Sequence, residues 1–364
     1  MPENSELLQI NGALGEGGGQ VLRSSLTLSI LTGTPIFIRN IRLKRSKHGL
    51  LAQHLKSVDA AVAVSNAHVE GAALGSTSLT FRPSQVRSGR YKFDIHTAGA
   101  TSLVFQTIFL PLSQASAASS VIITGGTHVR WSPCYHYLEL QWLPIMRRIG
   151  FNSDIDLNTP GFYPQGGGRI DTIIRPVTTI QPLNLTRRGK LIRITGISAV
   201  ANLNREIAER QKRQAFSRLL SLSNKIGQPE IQIKIHELPS STKGTVLLLL
   251  AELEHGSACY YALGELGKPA ERVADEAVDA LLSFLDTEAA LDQYLADQLL
   301  LPLSIADGPS VLHTNQITQH LLTNAEIIRL FLPVSIFIEG DLGKPGLIHI
   351  DPQRPDDGSY NPAS

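Results

Sequence analysis

Cysteine is nearly absent from this chain, net charge is close to zero, and no long apolar run occurs. Cys134 and Cys259 are the 2 cysteines in 364 residues, and they lie far apart without metal-ligand spacing. That excludes a disulfide frame and a cysteine-ligated zinc site, and points to buried thiols in a reducing compartment. Lys and Arg number 33 against 32 Asp and Glu, a formal charge of +1. No global positive field therefore advertises nucleic acid, and any such contact must be local. No apolar segment approaches the ~18 residues of a membrane span. The N-terminus MPENSELLQI also lacks the basic and apolar regions of a secretion signal. The expectation is a soluble cytoplasmic protein without a membrane partner.

What is present is a rhythm. Helices rich in small and apolar residues alternate with β-branched strands in three copies. The first runs from a helix at 20–31 through a strand at 35–41 and a helix at 50–66 to strands near 67–70 and 78–82. The second has a helix at 102–113, a strand at 119–126, a helix at 135–149, and strands near 152–157 and 169–175. The third has a helix at 289–305, a strand at 310–314, a helix at 324–332 and a strand at 334–339. The segment 185–286 breaks the rhythm and reads as a compact α+β domain inserted between the second and third copies. The expected organisation is α/β (α+β): a large three-repeat domain from 1–184 and 287–350, the insert at 185–286, and a tail. The tail, 351–364, is polar, carries prolines and has no apolar period, so it is expected to be disordered.

The stretch 8–33, LQINGALGEGGGQVLRSSLTLSILTG, reads as strand, glycine-rich turn and helix. Its glycines let backbone N–H groups approach a ligand, and the helix offers its positive end to an anion. A bare carboxylate there, Glu16, would repel phosphate unless an oxygen-ligated cation such as Mg²⁺ or Mn²⁺ bridges them. The loop is neither common nucleotide fingerprint: no Gly-Lys-Ser/Thr follows, and the G-x-G-x-x-G spacing fails at Gln20. Arg39, Arg42, Lys44, Arg45, Lys47 and His48 crowd the loop before the next helix, a local phosphate site or a solvated basic loop. Gln53 and His54 could add donors at the same mouth.

Three further segments carry chemistry less decisively. TAGATSLVFQT (97–107) is a small-residue turn opening a helix with Gln106 on a mostly apolar face. The run Tyr294-Leu295-Ala296-Asp297-Gln298 puts an aromatic, a carboxylate and an amide on one helical stripe, an adenine platform or an ordinary amphipathic surface. HTNQITQHLLTN (313–324) holds His320 just before a helix expected to begin at Thr323-Asn324, where an imidazole could serve as acid, base or nucleophile. The glycine run at 161–170 reads as a strand-turn-strand hairpin without chemistry.

Taken in order, GALGEGGGQVLRSSL, IRLKRSKHGLLAQHL, TAGATSLVFQT, ITGGTHVRWSP, GFYPQGGG, YLADQLLLPL and HLLTN resemble the RNA 3′-terminal phosphate cyclase family over nearly the whole chain to Glu339. The resemblance implies the three-repeat fold with an insert and ATP-dependent conversion of RNA 3′-phosphate ends to 2′,3′-cyclic phosphates. On this pattern His320 matches the nucleophile that becomes a histidyl–AMP, and Glu16 the metal-proximal carboxylate. Arg23, Arg42, Arg45 and Gln53 match groups around the phosphates. Gln106 and Tyr294 to Gln298 match the nucleotide site, with Tyr294 and Pro133 sandwiching adenine and Tyr137 nearby. ATP as substrate, Mg²⁺ or Mn²⁺ as cofactor, RNA 3′-phosphate ends as partner and a homodimer as a possible assembly belong to the same expectation. Two rivals remain: a non-catalytic cyclase-like scaffold for ribosomal RNA processing, which would lack the histidine, and an enolpyruvyl transferase, which would need two equal repeat domains.

Overall fold

The computed structural model describes residues 7–353. The first unit is β1 (Leu8–Asn11), α1 (Gly19–Thr32), β2 (Ile36–Arg39), α2 (Ala52–Ser65), β3 (His68–Glu70) and β4 (Leu79–Arg82). The second is β5 (Arg90–Asp94), α3 (Thr101–Ser113), β6 (Ser119–Gly125), then α4 (Tyr135–Tyr137), a π turn (Leu138–Trp142) and α5 (Leu143–Arg148) in one continuous stretch, then β7 (Ser153–Thr159) and β8 (Gly168–Ile174). The third opens with β9 (Asn184–Leu185). Before its next element come β10 (Leu191–Ala201), α6 (Glu206–Ser221), β11 (Glu230–Leu238), β12 (Gly244–Leu253), β13 (Ser257–Leu263) and α7 (Ala270–Leu285). It resumes with α8 (Gln293–Leu303), β14 (Ser310–Thr314), α9 (Gln319–Arg329), β15 (Val334–Glu339) and β16 (Gly346–Pro352).

The three sheets, β1-β2-β4-β3, β5-β6-β8-β7 and β9-β14-β16-β15, share one order. In each, the first pair is parallel and the other two pairs are antiparallel. The repeat is therefore β-α-β-α-β-β, and it starts with a strand rather than with the helix taken from the periodicity. Arg90–Asp94 and the two-residue Asn184–Leu185 are too short or too polar to register as apolar runs. Because β9 pairs with β14, the insert lies inside the third unit, between its first strand and first helix, and not between the second and third units. Asp351 and Pro352 also complete β16, opposite Ser335 and Val334, so the polar tail begins later than expected. The remainder of that tail, 354–364, lies outside the described residues.

The helices of the units meet in the middle: α1 packs on α2, α3 and α9, and α8 packs on α9. This explains why α3 is apolar all round, with Val104, Phe105, Ile108 and Leu112 fully buried. Strand alternation ties the insert to this core. On β12, Leu247, Leu249 and Ala251 join the insert's own core with Val273, Val278 and Leu281 of α7, while Leu248 and Leu250 face the main core. A sheet covered on both faces requires the unbroken apolar run VLLLLA (246–251) that the sequence carries. Cys134 and Cys259 are buried free thiols, as expected. Among the described residues no helix is long and apolar enough to cross a membrane.

Candidate active site

The central helices bring the start of α1, the start of α9 and the middle of α8 together around the glycine-rich turn. Two glycines make that approach possible. Gly15 has φ +55°, and a Cβ there would lie 1.9 Å from Thr323 Oγ1 on α9. A Cβ on Gly19 would lie 2.4 Å from His54 Nε2 and 2.7 Å from the Arg23 guanidinium. Any side chain at either position would push apart the walls of the site. Gly18 caps α1 without a side chain and the first turn holds no acidic residue, which leaves the first N–H groups and the positive helix end facing the turn.

Behind Gly19 the structure gathers hydrogen-bond donors. Arg23 is pulled down to about 10 by burial, partly offset by the Asp297 charge and further lowered by Arg42. Arg42, in left-handed backbone at φ +57°, gives one Nη to the Lys47 carbonyl at 3.1 Å, while its Nε is buried without a partner. Burial, then the neighbouring Arg45 charge, lowers its pKa too. His54 accepts the Leu51 N–H on Nδ1 at 3.2 Å, so a neutral ring carries its proton on Nε2, 3.4 Å from Arg42 Nη1. Two donors facing each other make no bond; they frame a place for an acceptor. Burial, then Arg23, then Arg42 push the His54 pKa down to about 3, keeping the ring neutral. Lys44 holds the turn through the Gly15 carbonyl at 2.8 Å. Gln53 turns its Oε1 to the Ala100 N–H at 2.8 Å, joining this cluster to the small-residue turn before α3. Of the basic loop, Arg42, Lys44 and Arg45 reach the site. Arg39 and His48 are exposed, and Lys47 contributes only its carbonyl. A half-buried cluster of donors without acceptors suits an anion with several oxygens, such as phosphate.

At the other wall stands His320. Its helix begins five residues earlier than the sequence suggested: Thr318 is the N-cap and accepts the Leu321 N–H at 3.0 Å. His320 thus sits in the first turn, while Thr323 and Asn324 are buried inside the helix rather than capping it. The Nε2 atom of His320 is 3.2 Å from Glu16 Oε2, an oxygen that also accepts from Arg45 Nη2 at 2.7 Å. The Nδ1 atom is 2.5 Å from Gln20 Oε1. Gln20 in turn donates from Nε2 to both oxygens of Asp297, at 2.8 and 3.0 Å, and Asn324 donates to the same carboxylate at 3.2 Å. Gln20, Ser24 and Asn324 were not singled out from the sequence. The signal for Gln20 was its place three residues before Arg23, on the same face of α1.

The expected nucleotide residues divide. Tyr294 is 53% exposed at the start of α8, its ring 6.2 Å from that of Tyr260. Gln298 donates to the Tyr294 carbonyl at 2.8 Å and accepts from Gln106 at 2.6 Å, so α3 and α8 present those two amides together. Pro133 is half-buried beside Ser132, whose carbonyl receives the Tyr261 hydroxyl. Leu295 and Ala296 are fully buried and belong to the main core rather than standing beside the exposed Tyr294 ring. Tyr137 is buried and donates to Asp292 at 2.9 Å. Since Asp292 caps α8 through the Tyr294 and Leu295 N–H groups, Tyr137 fixes the helix rather than lining its exposed side. Asp297 turns towards Gln20 and His320, away from Tyr294.

Among the described residues no group of three or more His, Cys, Asp or Glu side chains could hold a metal ion by itself. Glu16 is suited to share one. Its Oε2 is engaged while its Oε1 has no hydrogen bond among the described residues, and Mg²⁺ is commonly held by one or two carboxylates together with substrate phosphates.

Against this geometry stand the relatives. The family model for RNA 3'-terminal phosphate cyclase matches residues 14–338. A protein of Ralstonia nicotianae named RNA 3'-terminal phosphate cyclase is 41% identical over 336 residues, covering 92% of this chain and 94% of that protein. One of the same name from Methanopyrus kandleri is 38% identical over 352 residues, covering 95% and 99%. Another, from Pseudomonas fluorescens, is 42% identical over 332 residues, covering 91% and 94%. The enolpyruvyl transferase NikO from Streptomyces tendae aligns at 10% identity over 97% of this chain and 84% of that one, with a TM-score of 0.25 that carries no weight.

Proposed function

The chain belongs to the RNA 3′-terminal phosphate cyclase family, and from that premise we propose that it converts an RNA 3′-phosphate to a 2′,3′-cyclic phosphate at the expense of ATP. The observation that supports the reading is that Glu16 joins His320, at 3.2 Å, to Arg45, at 2.7 Å, beside a turn whose other donors, Arg42 Nε among them, lack an acceptor among the described residues. A phosphate monoester is a poor electrophile, because none of its oxygens leaves readily. Adenylation supplies a better leaving group, and imidazole both attacks phosphorus and departs from it.

In this reading His320 Nε2 attacks the α-phosphorus of ATP. An N–P bond forms, the P–O bond to pyrophosphate breaks, and pyrophosphate departs with the electron pair. An oxygen of the RNA 3′-phosphate then attacks the same phosphorus and the P–N bond breaks, returning the imidazole. Finally the 2′-hydroxyl attacks the terminal RNA phosphorus, AMP leaves, and the hydroxyl proton is lost to solvent. Arg23, Arg42, Arg45 and the His54 Nε2–H take the phosphate oxygens through each step, where charge-assisted bonds count most. Tyr294 and Pro133 hold the adenine, with Gln106 and Gln298 beside it. Glu16 is the residue for Mg²⁺ or Mn²⁺, which when bound neutralises triphosphate charge.

The test is an RNA end-labelled on its 3′-phosphate, incubated with the protein, ATP and Mg²⁺. The label is expected to become resistant to phosphatase only when ATP is present. A label that stays fully phosphatase-sensitive contradicts the reading.

A further inference from the structure

His320 is wired to a buried carboxylate through an amide, and the wiring decides where the imidazole carries its proton. A carboxylate accepts and cannot donate, so the Asp297 oxygens at 2.8 and 3.0 Å fix the NH₂ end of Gln20 towards α8. The carbonyl end must then face His320, at 2.5 Å from Nδ1. A carbonyl can only accept, so Nδ1 holds the hydrogen. Glu16 Oε2, 3.2 Å from Nε2 and shared with Arg45, also only accepts, so a second proton there makes the ring a cation, and it is the neutral ring that keeps its lone pair on Nε2. Asp297 is itself pinned. Asn324 donates to its carboxylate and to its backbone carbonyl, each at 3.2 Å, and cannot turn over because both only accept; its own oxygen accepts from Ser24 at 2.8 Å. Burial raises the Asp297 pKa, but His320, Gln20, Asn324 and Arg23 all favour its charged form.

We propose that Asp297 and Gln20 are positioning residues that hold His320 in the Nδ1–H tautomer and so present Nε2, the nitrogen beside Glu16, as the nucleophile. This rests on the histidyl–AMP reading. It adds that no proton moves at His320 in either transfer. With Nδ1–H retained, the N–P adduct is a cationic imidazolium, which leaves as a neutral ring when the RNA phosphate attacks. A ring protonated on Nε2 instead would have no lone pair to offer.

The arrangement differs from an adenine-reading role for Asp297, and the experiment separates the two. Long-range ¹H–¹⁵N correlation spectra of the histidine-labelled protein at mildly alkaline pH, without nucleotide or metal, report each ring's tautomer. The His320 signals are identified by their loss in His320→Ala. The expected pattern is Nδ1–H for His320 in the native protein, lost or mixed in Gln20→Leu, which keeps similar volume. In single-turnover adenylation, Gln20→Leu should lower the maximal rate roughly ten- to a hundredfold, as loss of a supporting hydrogen bond does at other ligating histidines, with half-saturation by ATP unchanged. An Nε2–H pattern in the native protein overturns the inference. So does a Gln20→Leu protein with a native maximal rate or with weakened ATP saturation alone. The tautomer spectrum needs no activity, so it stands even if no AMP adduct forms, and that outcome would fail the function alone.

Discussion

Arginine plays two different parts in this molecule. In the insert, guanidinium groups meet carboxylates. Arg193 is bidentate to Glu252 at 2.7 Å on both bonds, Arg210 binds Glu271 at 2.8 and 2.7 Å, and Arg218 bridges Asp275 and Asp279. Their carboxylate hydrogen bonds raise the pKa of all three. Around the glycine-rich turn, Arg23 and Arg42 form no ion pair among the described residues. Burial lowers both, helped by the Arg42 charge at Arg23 and by the Arg45 charge at Arg42. The difference separates a surface that has been neutralised from one left waiting for charge. Crowding like charges in a half-buried place is unfavourable for the empty protein, and an anion that removes the repulsion is bound strongly for the same reason.

That contrast can be broken by substitution. Arg42→Ala should lower single-turnover cyclisation by about one to two decades, since one charge-assisted contact is worth roughly 1.5–3 kcal/mol, while leaving the thermal midpoint nearly unchanged. A large loss of stability with normal turnover would make Arg42 structural instead. Tyr294→Ala should weaken ATP saturation by roughly 1–3 kcal/mol while sparing cyclisation by pre-adenylated protein; normal ATP dependence would remove the exposed ring of α8 from the nucleotide site. Acid should reveal the buried rings. His54, pushed down to about 3, and His136, pushed down to about 4 by burial and then His236, stay neutral in the fold. The unfolded chain protonates near the usual ~6.5, so stability is unaffected above that pH and falls as pH drops towards about 4. A thermal midpoint flat across that range would contradict the assigned burial. The smallest effect belongs to the insert: Arg210→Ala should leave the thermal midpoint almost unchanged, because an exposed ion pair adds little, and should cost nothing in cyclisation, measured beside Arg42→Ala.

Much of this could be read from the chain because local rules and tertiary contacts agree where the residues are periodic. The three-unit architecture followed from helix and strand periods, whereas the grouping of Arg23, Arg42 and Arg45 was implied by the family resemblance and not by their spacing. Errors fell where the pattern is short or polar. Asn184–Leu185 is too brief to announce a strand, so the insert was put between units instead of within the third. At α9, Thr318 caps through its own side chain, a signal overlooked in favour of the later Thr323-Asn324. Leu295 and Ala296 were carried along with their neighbours in YLADQ, although helical geometry turns them into the core. Gln20 is legible only as a neighbour of Arg23 on α1: its partners, Asp297 and His320, lie 277 and 300 residues away, and only folding brings them together.

The central claim is that His320 takes AMP from ATP. The direct measurement is incubation with α-labelled ATP and Mg²⁺, followed by denaturing electrophoresis and mapping of the labelled peptide. The account predicts an acid-labile label on the peptide carrying His320, absent in His320→Ala and retained in His313→Ala, whose ring faces the Thr186 carbonyl at 3.2 Å. Label persisting in a folded His320→Ala protein, or mapping to another residue, would contradict it.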